Sequence, residues 1–287
     1  MRELPAVEGV EHRFLDVGGV RMHVAQAGSG PPVLLLHGWP QHWWMWRRLI
    51  EPLAEGHRVL APDLRGFGWT DAPPGGYDPE VFATDLVGLL RALEVDEPVH
   101  VIGHDWGGWT AFVLALRNPG VVRRLLALSI VHPFVRPGPR SLLGAWRLWY
   151  QWALATPGLG PAALRIAAAR SPVLLHLGAG GGVWSDAELR AYAEPLLEPE
   201  RARATQLLYR HAALRIPRQL RGYRAMRLGC AARLVFPAED AVQKSIELGG
   251  YESNAPEMEI EVVPGAGHFI VEERPDLVRE RALALVA

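Results

Sequence analysis

The stretch His100–Trp109, HVIGHDWGGW, decides how the rest of the chain is read. A short apolar run of buried-strand type leads into Gly-x-Asp-x-Gly, and a helical pattern begins directly after it. Asp105 thus stands at the tip of a sharp strand-to-helix turn, where Gly103 and Gly107 let the backbone tighten enough to expose the side chain between them. Working outward, HRFLDV (12–17), RMHVAQAG (21–28) and PPVLLLHG (31–38) predict three strands before any helix. HRVLAPD (57–63), a helix near 79–93, PVHVIGHD (98–105), a helix near 107–117 and RRLLALSI (123–130) then alternate, the rhythm of a mostly parallel α/β sheet. From Pro133 the strand runs stop, and Ala, Leu, Trp and Arg recur at helical spacing, broken by PGPR, TPGLGP and GAGGG. Strands resume at AARLVFPAED (231–240), followed by a helix, MEIEVVPGAGH (258–268) and a closing helix from RPDLV (274–278). The pattern predicts a core domain of residues 1–132 and 226–287 and a helical lid of 133–225 inserted between two core strands. A cleft between that lid and the carboxyl ends of the strands is the expected site.

The whole-chain numbers exclude several function classes. A chain of 287 residues, 49% hydrophobic and 21% charged, is an ordinary globular protein able to bury a large core. The formal net charge of -1, with Arg and acidic residues interspersed, speaks against nucleic acid and anionic lipid as partners and in favour of a small neutral ligand. Cys230 is the single cysteine, so an internal disulfide and a CxxC site are excluded, and a buried, inert thiol in a reducing cytoplasm is expected. The first residues, MRELPAVEGVEHRF, lack a signal-peptide core, and the apolar stretch 161–182 is broken by Arg165, Arg170 and Pro172, so neither secretion nor a membrane span is expected. HxxEH, HExxH and CxxC strings are absent, so neither a metal nor another cofactor is expected.

Three further strand ends carry chemistry-bearing residues. LVFPAED ends a strand with Asp240, VVPGAGH ends the next with His268, and LLLHGWP closes with a turn at His37–Pro40. An acid on a strand-to-helix turn, a second acid and a histidine, in that order on separate strand ends, is what nucleophilic catalysis with an oriented base requires. On these strings, HGWP, GHDWGG, the Asp of PAED and the His of GAGH, the chain resembles the α/β-hydrolase family over nearly its whole length, and within it the epoxide hydrolase branch. The resemblance implies that Asp105 is the nucleophile, His268 the base and Asp240 its orienting acid, with an oxyanion hole from the main-chain N–H groups of Trp39 and Trp106. It also implies a cis peptide between Trp39 and Pro40. FPAED departs from the Gly-rich turn usual before the acid, which leaves Glu239 as a second candidate for that role.

A carboxylate nucleophile narrows the reaction. It is ionised at neutral pH without help, its reference pKa being about 4. Attack on an ester would give a labile anhydride, whereas attack on a strained or halogen-bearing sp3 carbon gives an alkyl-enzyme ester that His268 and water can hydrolyse. An opening epoxide needs a proton donor, and a departing halide needs N–H groups and no proton. In WRLWYQWALATPG (146–158) and QLLYRHAALR (206–215), Tyr150 and Tyr209 resemble the two lid tyrosines of soluble epoxide hydrolases and are the expected proton donors, with Trp39, Trp106, Trp149 and Gln151 lining the substrate. The expected substrate is a small apolar epoxide, opened with water to a diol, and a homodimer is allowed. A haloalkane or haloacid dehalogenase built on the same Asp105 is the alternative, although Trp39 stands where haloalkane dehalogenases usually carry Asn or Glu. A ligand-binding homologue without catalysis is a third reading.

Other conspicuous residues read as structural. Tyr192 and Tyr223 share the lid and compete with Tyr150 and Tyr209 for the donor role; His37 and His104 are expected to brace loops, and His42, His132 and His211 to serve packing. HWWMW (42–46) and Trp146, Trp149 and Trp152 read as core or pocket wall. DLRGFGWTD (63–71) reads as a turn held by Asp63 and Arg65.

Overall fold

A computed structural model describes residues 2–136, 138, 139, 146, 149–170, 184–241, 243 and 248–287. Eight strands form one sheet: β1 (Glu11–Val17), β2 (Val20–Ala27), β3 (Pro32–Leu36), β4 (Arg58–Pro62), β5 (Val99–His104), β6 (Val122–Leu128), β7 (Ala231–Pro237) and β8 (Met258–Val263). Their order across the sheet is β1-β2-β4-β3-β5-β6-β7-β8. β1 pairs antiparallel with β2 and β2 antiparallel with β4, and every pairing from β4 to β8 is parallel. β3 and β5 are buried along their full length, as strands covered on both faces must be.

Successive residues of β3 serve opposite layers. Leu34 and Leu36 pack with α2 (Pro79–Ala92) and α3 (Trp106–Arg117), while Val33 and Leu35 pack with Trp43, Trp46, α1 (Arg47–Ala54) and α10 (Pro275–Val286). Asp78 starts α2 by accepting from the N–H groups of Glu80 and Val81, with Pro79 at the first turn. Between β6 and β7 the described chain is helical: α4 (Trp149–Ala155), α5 (Leu159–Arg170), α6 (Asp186–Ala193), α7 (Pro199–Leu214) and α8 (Ile216–Tyr223). A short α9 (Ile270–Glu273) follows His268. The helix expected after Asp240 falls mostly outside the described residues.

Two sequence expectations are corrected. Trp146, Trp149 and Trp152 are not core: they are 66%, 61% and 59% exposed. α4 turns Leu154 and Ala155 inward against α5 and α7, so residues at spacing three on the opposite side face water. Arg65 does not join Asp63. It forms a two-pronged pair with Asp85 of α2, at 2.6 and 2.7 Å. Asp63, fully buried, accepts instead from the N–H groups of Trp43 and Trp69, each at 2.8 Å, and pairs with His23 Nδ1 at 2.8 Å. Burial would raise its pKa, but His23, His42 and His37 outweigh that and hold it below the usual carboxylate range.

Candidate active site

Asp105 joins β5 to α3 with φ +49° and ψ -121°, a left-handed backbone that a non-glycine residue rarely adopts. Such a turn works only if nothing stands beside it. A Cβ on Gly103 would lie 2.6 Å from the carbonyl oxygen of Gly107, and one on Gly38 would lie 2.5 Å from Cβ of Asp105. The 37–40 turn at the end of β3 therefore sits directly against the carboxylate. There the Trp39 N–H donates to Asp105 Oδ2 at 3.0 Å, and the Trp106 N–H also donates to the carboxylate. The Trp39–Pro40 peptide is cis, as expected.

His268 and Asp240 come from the loops after β8 and β7. His268 Nδ1 bonds Asp240 Oδ2 at 2.9 Å and its Nε2 faces Asp105 Oδ1 at 3.8 Å. Glu239 points elsewhere and accepts from the N–H of Ala266, so Asp240 is the acid that touches the imidazole. Burial alone would lower the His268 pKa, but the charge and hydrogen bond of Asp240, then the charge of Asp105, raise it to about 9. Asp105 is raised, first by burial, with His268 and the two N–H groups opposing. His104 stands behind the imidazole: its Nε2 is 2.8 Å from the His268 carbonyl oxygen, and burial lowers it to about 3, a neutral brace. His37 bridges Gly38 O and the Leu64 N–H in the same way.

The helices between β6 and β7 bring two phenols to the other side of Asp105. The rings of Tyr150 on α4 and Tyr209 on α7 are 5.9 Å apart and set edge to face. Both pKa values lie above the ordinary phenol, first because of burial, with the Asp105 charge adding to it. At neutral pH both therefore keep their protons. Tyr209 lies edge-on to Trp39 at 5.2 Å and to Trp106 at 5.9 Å. The competing tyrosines are accounted for elsewhere: Tyr192 donates to Glu272 and Tyr223 to Glu80.

Of the expected lining residues, Gln151 is half-buried and donates to the Tyr150 hydroxyl at 3.3 Å. Trp149 is corrected: exposed on the outer side of α4, it lies away from the cluster. Two contributors were missed. Thr205, fully buried, accepts the Trp39 indole N–H at 3.0 Å, and its place one helical turn before Tyr209 is the signal that would have found it. Gln243 gives its main-chain N–H to Asp240 Oδ1 at 3.0 Å and its side-chain amide to Ser129 O at 2.8 Å, ties with no sequence signature. Among the described residues, no group of three or more His, Cys, Asp or Glu side chains is arranged to hold a metal ion.

The family model for the alpha/beta hydrolase fold matches residues 31–158. The eight-stranded sheet, with Asp105 on the turn from β5 to α3, has the alpha/beta hydrolase fold that this model describes. The curated relatives and solved structures it resembles include epoxide hydrolases. It is 46% identical over 129 residues to a soluble epoxide hydrolase of Corynebacterium sp. (strain C12), a match covering 45% of each chain. It is 37% identical over 159 residues to a fluoroacetate dehalogenase of Burkholderia sp, covering 54% of this chain and 52% of that one. These matches span about half the length of each curated relative. The solved structure of an epoxide hydrolase from Solanum tuberosum superposes with a TM-score of 0.82 at 27% identity, covering 96% of this chain and 99% of that one.

Proposed function

We propose that the chain hydrolyses an epoxide to a vicinal diol through an alkyl ester on Asp105, with residues 133–225 forming the lid over the reaction. The observation that carries this reading is the pair of protonated phenols, Tyr150 and Tyr209, packed edge to face beside the carboxylate. Asp105 Oδ2 is engaged by the Trp39 N–H, which leaves Oδ1 as the attacking oxygen. Oδ1 bonds to an epoxide carbon, the ring C–O bond breaks, and the alkoxide takes a proton from one phenol while the other holds the charge. Water then attacks Cγ of the ester, losing a proton to His268. The N–H groups of Trp39 and Trp106 hold the oxyanion. Collapse releases the diol and restores the carboxylate; His268 keeps the proton taken from water, having given its own to the phenolate before water attacked.

The same geometry disfavours halide displacement. A leaving halide needs N–H donors, and the Trp39 indole beside Asp105 is engaged by Thr205. A single turnover on styrene oxide in heavy-oxygen water tests the route, because the attacking water leaves one oxygen on Asp105. Label in the carboxylate is expected; label in the diol alone refutes the covalent ester, and bromide release from alkyl bromides with styrene oxide untouched refutes the epoxide assignment.

A further inference from the structure

The formal charge of -1 conceals a segregation. Between β6 and β7, residues 129–230 hold fourteen Arg and five acidic residues, a formal +9, which leaves -10 on the remainder of the chain. All five acids fall within 186–200, so α5 and α8 carry arginine without a single Asp or Glu, and α7 carries Glu200 as its one acid. The expectation that Arg and acidic residues are interspersed fails here, because a whole-chain average hides a strongly basic insertion on an acidic core.

One of these helices, α5, also exposes apolar side chains. On α5 the exposed residues Leu159, Ala162, Ala163, Ile166 and Ala169 recur at spacings of three and four, an apolar stripe turned to solvent, with Leu159 72% and Ile166 54% exposed. Neighbouring α4 adds Trp149 and Trp152. Arg165 and Arg170 border the stripe, Arg165 held to the Leu197 carbonyl at 2.9 Å. Arg210, Arg215, Arg218 and Arg221 are exposed along α7 and α8. Indoles and aliphatic side chains beside arginine are the composition of a helix lying in a bilayer interface, where rings and chains enter the headgroup boundary and guanidinium groups meet phosphate.

We infer that the outer face of these helices docks on an anionic lipid surface. Among the described residues no helix is long and apolar enough to cross a membrane, so the contact is peripheral. The charge selects this occupant over a second copy, which would bring the same positive face. The aliphatic stripe selects it over nucleic acid, whose basic grooves present stacking aromatics rather than Leu, Ile and Ala. The inference does not rest on the reaction proposed for Asp105.

Co-sedimentation of the full chain with phosphatidylcholine vesicles, with and without about 30% phosphatidylserine, tests it. Binding to the anionic vesicles alone is expected, with a blue shift of tryptophan emission and loss of binding as salt is raised toward about 0.5 M. Two variants with unchanged far-ultraviolet circular dichroism, Trp152→Ser/Ile166→Ser and Arg215→Gln/Arg218→Gln/Arg221→Gln, should each lower the bound fraction at least about fivefold. The inference is overturned by equal binding to neutral vesicles, by no binding, or by retention on duplex DNA without vesicle binding. It is also overturned if the protein sediments as a dimer that Trp152→Ser splits while vesicles bind neither form.

Discussion

Changing Asp105 to Asn mimics the electrostatics of the alkyl-enzyme, since the amide, like the ester, is neutral. In the resting site His268, at about 9, is a cation between two carboxylates and cannot act as a base at pH 7. Esterification removes the negative charge on the cavity side and leaves Asp240, at 2.9 Å, in place. With Asp105 Oδ1 3.8 Å from Nε2, a Coulomb energy at an effective dielectric constant of about 20 is about 4 kcal/mol, or about 3 pH units, as an upper bound. The real change is smaller, because the carboxylate charge is shared with Oδ2, which the Trp39 N–H already holds. The Asp105→Asn variant should therefore show the His268 pKa lowered by about 1 to 3 units, toward neutrality. Titration of the imidazole carbon and nitrogen resonances by NMR, with His268→Gln identifying the signal, reads this directly. A pKa that stays at about 9 or rises would refute the idea that forming the ester releases its own base, and Asp240 alone would then account for the shift.

Three other outcomes follow from the geometry. Because the folded pKa of His268 lies above its reference value of 6.5, its contribution to stability is full below 6.5 and lost as pH rises through 9; urea midpoints should show wild type losing about 3 kcal/mol more than His268→Gln between pH 6 and 10, and parallel curves would contradict this. Gly38→Ala should abolish turnover while the protein stays folded, since the new methyl group would stand 2.5 Å from Cβ of Asp105, and wild-type activity would show the turn to be looser than described. Asp63→Asn removes the charge that His23 and two main-chain N–H groups share and should destabilise the fold by about 3 kcal/mol in urea, against less than 1 if the cluster is incidental.

What was legible in the sequence was what strand ends and local spacing encode. Asp105, Asp240 and His268 each terminate a strand run, and the parallel rhythm brings such ends to one edge of the sheet, so three distant residues were readable as one cluster. Tyr150 and Tyr209 were legible only through resemblance, because a helical repeat does not say which of its faces turns inward. The same ambiguity misplaced Trp149 and Trp152: spacing three marks a stripe, and the packing of α4 on α7, which no local pattern encodes, decides that the stripe faces out. Partners such as Arg65 with Asp85, or Thr205 with Trp39, lie 20 and 166 residues apart and depend on docking of whole elements.

The left-handed backbone at Asp105 also separates what the fold wants from what the reaction wants. Nothing in that φ of +49° favours an acid; any L-residue is strained there, and glycine alone would relax it. Asp105→Gly is thus a change that chain stability would welcome and that the proposed reaction would not survive. Under selection for robustness alone this position would drift toward glycine, so the carboxylate on so unfavourable a bend is a cost the fold itself does not ask for.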